Sequence, residues 1–134
     1  MAGYSGTPLQ KKLGLKPAQT IYVHSAPKEY FDWISPLPEN LQVKTALASS
    51  LDFIHLFVQT RKDFETIFRK AKKHLKSDAM LWVSWPKKSS KVPTDLDENI
   101  IREFGLKEGL VDVKVCAVDD VWSGLKFVYR LKDR

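Results

Sequence analysis

Only one cysteine, Cys116, is present, so no internal disulfide can form and a disulfide-stapled fold is excluded. A lone thiol suits a reducing compartment. Long apolar runs are also missing. The most apolar stretch, residues 51–58, is broken by Asp52 and His55 and falls far short of the ~20 residues that span a bilayer. The opening Met-Ala-Gly-Tyr-Ser-Gly-Thr has neither the charged nor the apolar region of a secretory signal. A cytoplasmic protein without membrane contact is therefore expected. Histidine is sparse, and His24, His55 and His74 lie too far apart in sequence to suggest a zinc site. No metal is expected.

Charge is abundant and unbalanced: 22 Lys and Arg against 16 Asp and Glu give a net charge of +6. That excess leans towards anionic partners through its long-range field. Much of it lies in residues 61–76, where Phe64, Ile67, Phe68, Ala71 and Leu75 recur at helical spacing. The lysines and arginines cover the other faces of this expected helix and read as a solvated surface. No recognised nucleic-acid motif accompanies them, so nucleic acid is not an expected partner.

The rest of the pattern alternates. Thr7, Pro8 and Gly14 punctuate a short first helix. Residues 20–23 (Thr-Ile-Tyr-Val), 42–47, 50–59 and 79–85 read as strands, with a helical turn or two possible over 28–34. Thr60 is an expected N-cap with Asp63 three residues on. A second long helix is expected over 95–104, capped by Thr94 or Asp95 and ended by Gly105 or Gly109. Strands at 111–118 and 125–131 are joined by a short connection that calls for a hairpin. The expectation is one α/β domain over residues 1–134, with 1–19 as an N-terminal docking segment. Its sheet should be mostly parallel and Rossmann-like, with a C-terminal antiparallel hairpin and helices on both faces.

Two resemblances follow from particular residues. Leu13-Gly14-Leu15-Lys16-Pro17-Ala18-Gln19-Thr20-Ile21-Tyr22-Val23 resembles the entry to a Rossmann-type methyltransferase, where a short helix turns into the first strand. The final hairpin resembles that fold's antiparallel ending. Gly3-Tyr4-Ser5-Gly6-Thr7-Pro8-Leu9, Leu81-Trp82-Val83-Ser84-Trp85-Pro86-Lys87-Lys88-Ser89-Ser90 and residues 109–119, continued by Trp122-Ser123-Gly124-Leu125-Lys126, resemble the bacterial family termed domain of unknown function 3052. That likeness implies a small bacterial protein and brings no activity, cofactor or catalytic residue with it. Against the methyltransferase likeness, the turn after the first strand, His24-Ser25-Ala26-Pro27-Lys28-Glu29, holds no glycine. A backbone that must approach a nucleotide cofactor needs glycine there. The second strand also offers no acid for ribose hydroxyls, so no cofactor is expected.

Chemistry should gather where the turns meet at the carboxyl edge of the sheet. Trp85-Pro86-Lys87-Lys88-Ser89-Ser90 has the composition of an anion-binding lip, with Lys87 and Lys88 as charges and Ser89 and Ser90 as hydroxyls. Trp85 and Trp122 would flank the crevice. His24 is the candidate general base and Asp119 its candidate neighbour. The reading that follows is a binding or regulatory module that accepts a small anionic ligand or an acidic protein at residues 87–90. An enzyme acting on a small anionic substrate through His24 is the alternative, and non-specific nucleic-acid binding comes third.

Overall fold

The computed structural model describes residues 7–134; residues 3–6 of the first family-like stretch lie outside them. A six-stranded sheet in the order β2-β1-β3-β4-β6-β5 organises the chain. Its strands are β1 (Thr20–His24), β2 (Gln42–Lys44), β3 (Leu51–Phe57), β4 (Leu75–Pro86), β5 (Leu110–Ala117) and β6 (Trp122–Tyr129). β1 pairs in parallel with β2 and β3, and β3 with β4, whereas β6 runs antiparallel to both β4 and β5. The expected mostly parallel sheet with a terminal hairpin is therefore observed. The helices are α1 (Leu9–Leu13), α2 (Tyr30–Trp33), α3 (Arg61–Lys72) and α4 (Glu98–Lys107).

Strand alternation sends neighbouring side chains to opposite faces, and β3 shows both destinations. Ile54 and Leu56, with Val58 just past the strand, join Phe64, Phe68, Ile101 and Phe104 beneath α3 and α4. Phe53 and Phe57 join Leu9, Leu13, Tyr30 and Ile34 beneath α1 and α2. A strand covered on both faces needs a nearly unbroken apolar run, which is how this segment reads. On the α3/α4 face, Phe68 meets Phe64, Phe104 and Phe127 edge-on at 5.4–5.6 Å between ring centroids. Such pairs contribute about 1 kcal/mol each beyond their burial. On the other face α1 is too short to hold itself. It docks by burying Leu9 and Leu13, and Trp82 Nε1 donates to the Leu13 carbonyl at 2.8 Å. Gly14 closes it at φ 85°.

Several boundaries differ from the sequence reading; β2 is shorter, at Gln42–Lys44, and β6 begins earlier, at Trp122. α3 stops at Lys72, so His74 and Lys76 are off the helix and β4 begins at Leu75, earlier than its apolar run. α4 starts at Glu98 with Asp97 as its cap, the side chain accepting from Ile100 N at 2.8 Å. Asp95 instead accepts from Arg61 N at the start of α3. Gly105 lies inside α4, buried against Phe127, and Gly109 follows the helix at φ 96°. The cap on α3 is the expected one, with Thr60 Oγ1 accepting from Asp63 N at 3.2 Å. Thr60→Ala is expected to cost about 1 kcal/mol, read as a lower urea midpoint with an unchanged slope.

Candidate active site

Open α/β sheets bind ligands outside the carboxyl ends of their strands, where the strand order reverses. Here β1 has β2 on one side and β3 on the other, so the reversal falls between β1 and β3. His24 ends β1 opposite Leu56 of β3. The next residue, Ser25, is exposed and left-handed at φ 54°. From the far side α3 brings Asp63, whose Oδ2 lies 3.6 Å from His24 Nε2. The histidine is largely covered and the carboxylate about half exposed, at 21% and 49% of their side-chain surface. An imidazole at a sheet edge, within hydrogen-bonding reach of a bound group, is placed to take a proton from it.

The expected lip follows β4 as a single 3-10 turn, Lys88–Ser90. Ser90 Oγ is occupied within the turn: it donates to the Lys87 carbonyl at 2.6 Å and accepts from Val92 N at 3.2 Å. Lys87 N donates to the Val121 carbonyl at 2.8 Å, tying the lip to the β5–β6 hairpin. Lys88 and Ser89 remain exposed. The chain then folds back over the end of β3. Thr94 Oγ1 donates to the Gln59 carbonyl at 2.6 Å, and Gln59 Nε2 to the Pro93 carbonyl at 2.7 Å. These clasps close the edge beside β3 and β4, while His24, Ser25, Thr60 and Asp63 keep solvent contact at the reversal point.

The other named residues do not converge on one crevice. Trp85 packs into the α3/α4 core at 6% exposure. Trp122 packs on the opposite face, edge-on to Phe57 at 5.1 Å. Strand alternation separates them. Asp119 Oδ1 accepts from Val121 N at 2.9 Å and Trp122 N at 2.8 Å, an Asx arrangement that shapes the hairpin. Cys116 is partly buried, and burial pushes its thiol above the usual range. Among the described residues no group of three or more His, Cys, Asp or Glu is placed to hold a metal. No helix among them is long and apolar enough to cross a membrane.

One polar cluster lies behind the edge. His55 is fully buried, with Nδ1 2.9 Å from Tyr30 Oη and Nε2 2.7 Å from Ser84 Oγ. Tyr30 belongs to α2, directly after the His24–Glu29 turn, so this chain of bonds pins that turn to β3 and β4. Burial pushes the phenol far up and the imidazole down to about 3. His55 is therefore neutral, and the arrangement satisfies both ring nitrogens if Tyr30 donates to Nδ1 and Nε2–H donates to Ser84.

Asp63 was not foreseen as a site residue. Its signal in the sequence was that of a helix cap, and only the β1–β3 pairing brings it to His24.

No known protein family matches the chain, and no curated protein does. Solved structures do. A SAM-dependent methyltransferase from Aquifex aeolicus superposes with a TM-score of 0.64 at 18% identity, over 87% of this chain and 85% of that one. Precorrin-6y C5,15-methyltransferase from Geobacter metallireducens gives 0.57 at 11% identity, over 91% and 86%. Aeropyrum pernix fibrillarin, solved with natively bound S-adenosyl-L-methionine, gives 0.60 at 14% identity, over 95% and 71%. These neighbours, two of them named as methyltransferases, overturn the expectation of a binding or regulatory module. At such identities the likeness establishes the architecture: the chain has the Rossmann-type methyltransferase fold.

Proposed function

We propose that this chain transfers a methyl group from S-adenosylmethionine at the carboxyl edge between β1 and β3. The observation that carries the reading is the fold match to the Aquifex aeolicus methyltransferase along 87% of the chain. Fold alone does not assign chemistry, so the residues at the edge must meet the donor's demands. They do so in part, and by different means from the glycine-rich pattern. Ser25 already takes the left-handed conformation, at φ 54°, that glycine commonly supplies in such a turn. β2 ends on the exposed Lys44 and offers no acid for ribose hydroxyls. Asp63 is the carboxylate that faces the turn, and with Oδ2 towards His24 its Oδ1 is left to accept from a hydroxyl.

When bound, S-adenosylmethionine supplies an electrophilic methyl group on a positively charged sulfur. His24 takes the proton from the substrate's O–H or N–H; with the donor bound, the freed electron pair would go to the methyl carbon and the electrons of the broken bond would stay on the sulfur. Asp63 Oδ2 stands 3.6 Å from the His24 ring and orients it. Lys88 and Ser89, exposed at the same edge, are available to an anionic part of the substrate.

Calorimetric titration with S-adenosylmethionine and S-adenosylhomocysteine tests the reading. Both are expected to bind with a Kd of about 1 mM or tighter. His24→Gln should leave donor affinity unchanged and slow transfer by about 100-fold. Absence of binding by either ligand at several times that concentration overturns the proposal.

A further inference from the structure

The amino-terminal edge of the sheet, opposite the candidate active site, carries a cavity of about 490 Å³ lined by Arg69, Lys72, Lys73, Leu75, Glu108 and Tyr129. Four elements end or begin there. α3 closes with Arg69 and Lys72 and is followed by its C-cap Lys73, β4 starts at Leu75, α4 gives way to Glu108, and β6 finishes on Tyr129. Because β6 is antiparallel to β4, its last residue reaches the edge where β4 begins.

The charges in this cavity are unequal. Its one carboxylate, Glu108, is engaged by Arg69, with Nε 3.4 Å from Oε2. Lys72 Nζ donates to the Glu108 carbonyl and Tyr129 Oη donates to the Lys72 carbonyl at 3.4 Å, so the walls are held in place. Arg69 is further steadied over the Phe104 ring at 5.0 Å. The Lys73 ammonium has no partner among the described residues. Asp133 adds a negative field near Tyr129, but it does not line the cavity. Three cations against one engaged carboxylate leave an excess of positive charge on the walls, beside the apolar surface of Leu75 and the Tyr129 ring. The volume falls within the range of small-molecule sites, roughly 300–1,000 Å³.

We infer that this cavity binds a phosphate monoester, with Lys73, Lys72 and the outer guanidinium nitrogens of Arg69 around the phosphate and the organic group on Leu75 and Tyr129. A dianion matches the excess charge, and a guanidinium fork with two ammonium groups suits phosphate oxygens. The site is independent of methyl transfer at the opposite edge, and neither reading needs the other.

The test uses glycerol 3-phosphate as probe, titrated into the wild-type chain by calorimetry at pH 7.5 and constant ionic strength. Saturable one-to-one binding is expected. Lys73→Gln, at an exposed position that leaves the fold intact, should weaken it about tenfold. Arg69→Gln should weaken it at least as much, and Lys88→Gln at the opposite edge should leave it unchanged. Inorganic phosphate should compete, showing that the phosphate group is what the walls recognise. No saturable binding in the wild type would overturn the inference. So would a Lys73→Gln chain that binds as the wild type does, or loss of binding on Lys88→Gln.

Discussion

His55→Ala is expected to lower the unfolding free energy by about 4 kcal/mol, a large part of what holds a domain of this size together. Two costs add. A buried ring is removed from a packed site where it stacks on Phe57 at 4.3 Å between centroids, leaving a cavity. The Tyr30 hydroxyl and Ser84 Oγ, both buried, lose the partner that satisfies them. Each such orphaned group costs about 1–3 kcal/mol. The same residue gives the wild type a pH signature. Its folded pKa is pushed down to about 3 from 6.5, so the unfolded chain binds the extra proton first. Its contribution is complete above pH 6.5 and drains away as pH falls towards the folded value. Urea midpoints measured from pH 7 to pH 4 should therefore fall more steeply for the wild type than for His55→Ala. Parallel curves for the two proteins would show that burial of this imidazole is not what sets the slope.

Gly105→Ala should also destabilise, against the expectation from helix propensity alone. In an exposed helix interior the change would gain about 1 kcal/mol. Here a Cβ would fall 2.1 Å from Phe127 Cε1 and under 3 Å from two further atoms of that ring. Phe127 is fully buried and held edge-on by Phe68 at 5.5 Å, so it cannot swing aside. α4 must move off the sheet, and overpacking of this kind costs about 1–3 kcal/mol or more. The net expectation is a loss of about 2 kcal/mol. A smaller ring-site partner should relieve it: Phe127→Leu destabilises alone, yet the double variant should be more stable than the sum of the two changes predicts. A Gly105→Ala chain with a raised midpoint would mean that the contact yields more easily than its burial implies.

That glycine illustrates how local pattern and packing part company. In the sequence Gly105 has the mark of a helix end, because glycine lacks a Cβ and ends helices by turning left-handed. In the structure it stays inside α4, and its missing Cβ makes room for a ring from a strand 22 residues further on. Nothing within helical reach of residue 105 announces Phe127. Asp95 and Asp97 show the same limit. Both are acids placed to cap, but only the fold-back of residues 91–97 over β3 sends Asp95 to α3 and leaves Asp97 to α4.

The lip at residues 87–90 was legible as a turn leaving a strand at the carboxyl edge of the sheet. Its chemistry was less legible. Ser90 serves the turn itself, and Trp85 and Trp122, joined in sequence only by their likeness, lie on opposite faces. Sequence proximity and composition cannot register which face a side chain takes once strands from distant segments pair.

Period and punctuation, being local, were enough to determine the element order, the two-sided burial of β3, the Thr60 cap and the antiparallel ending. A strand covered on both faces must be apolar throughout, and a capped helix must carry its acceptor beside the first amides. The tertiary structure alone decided that His24 meets Asp63, that His55 is held between Tyr30 and Ser84, and that the cations closing α3 surround a cavity with Tyr129. Each of these joins residues 25 or more apart or brings together separate elements, and such contacts arise from strand pairing and packing, which short-range pattern does not encode.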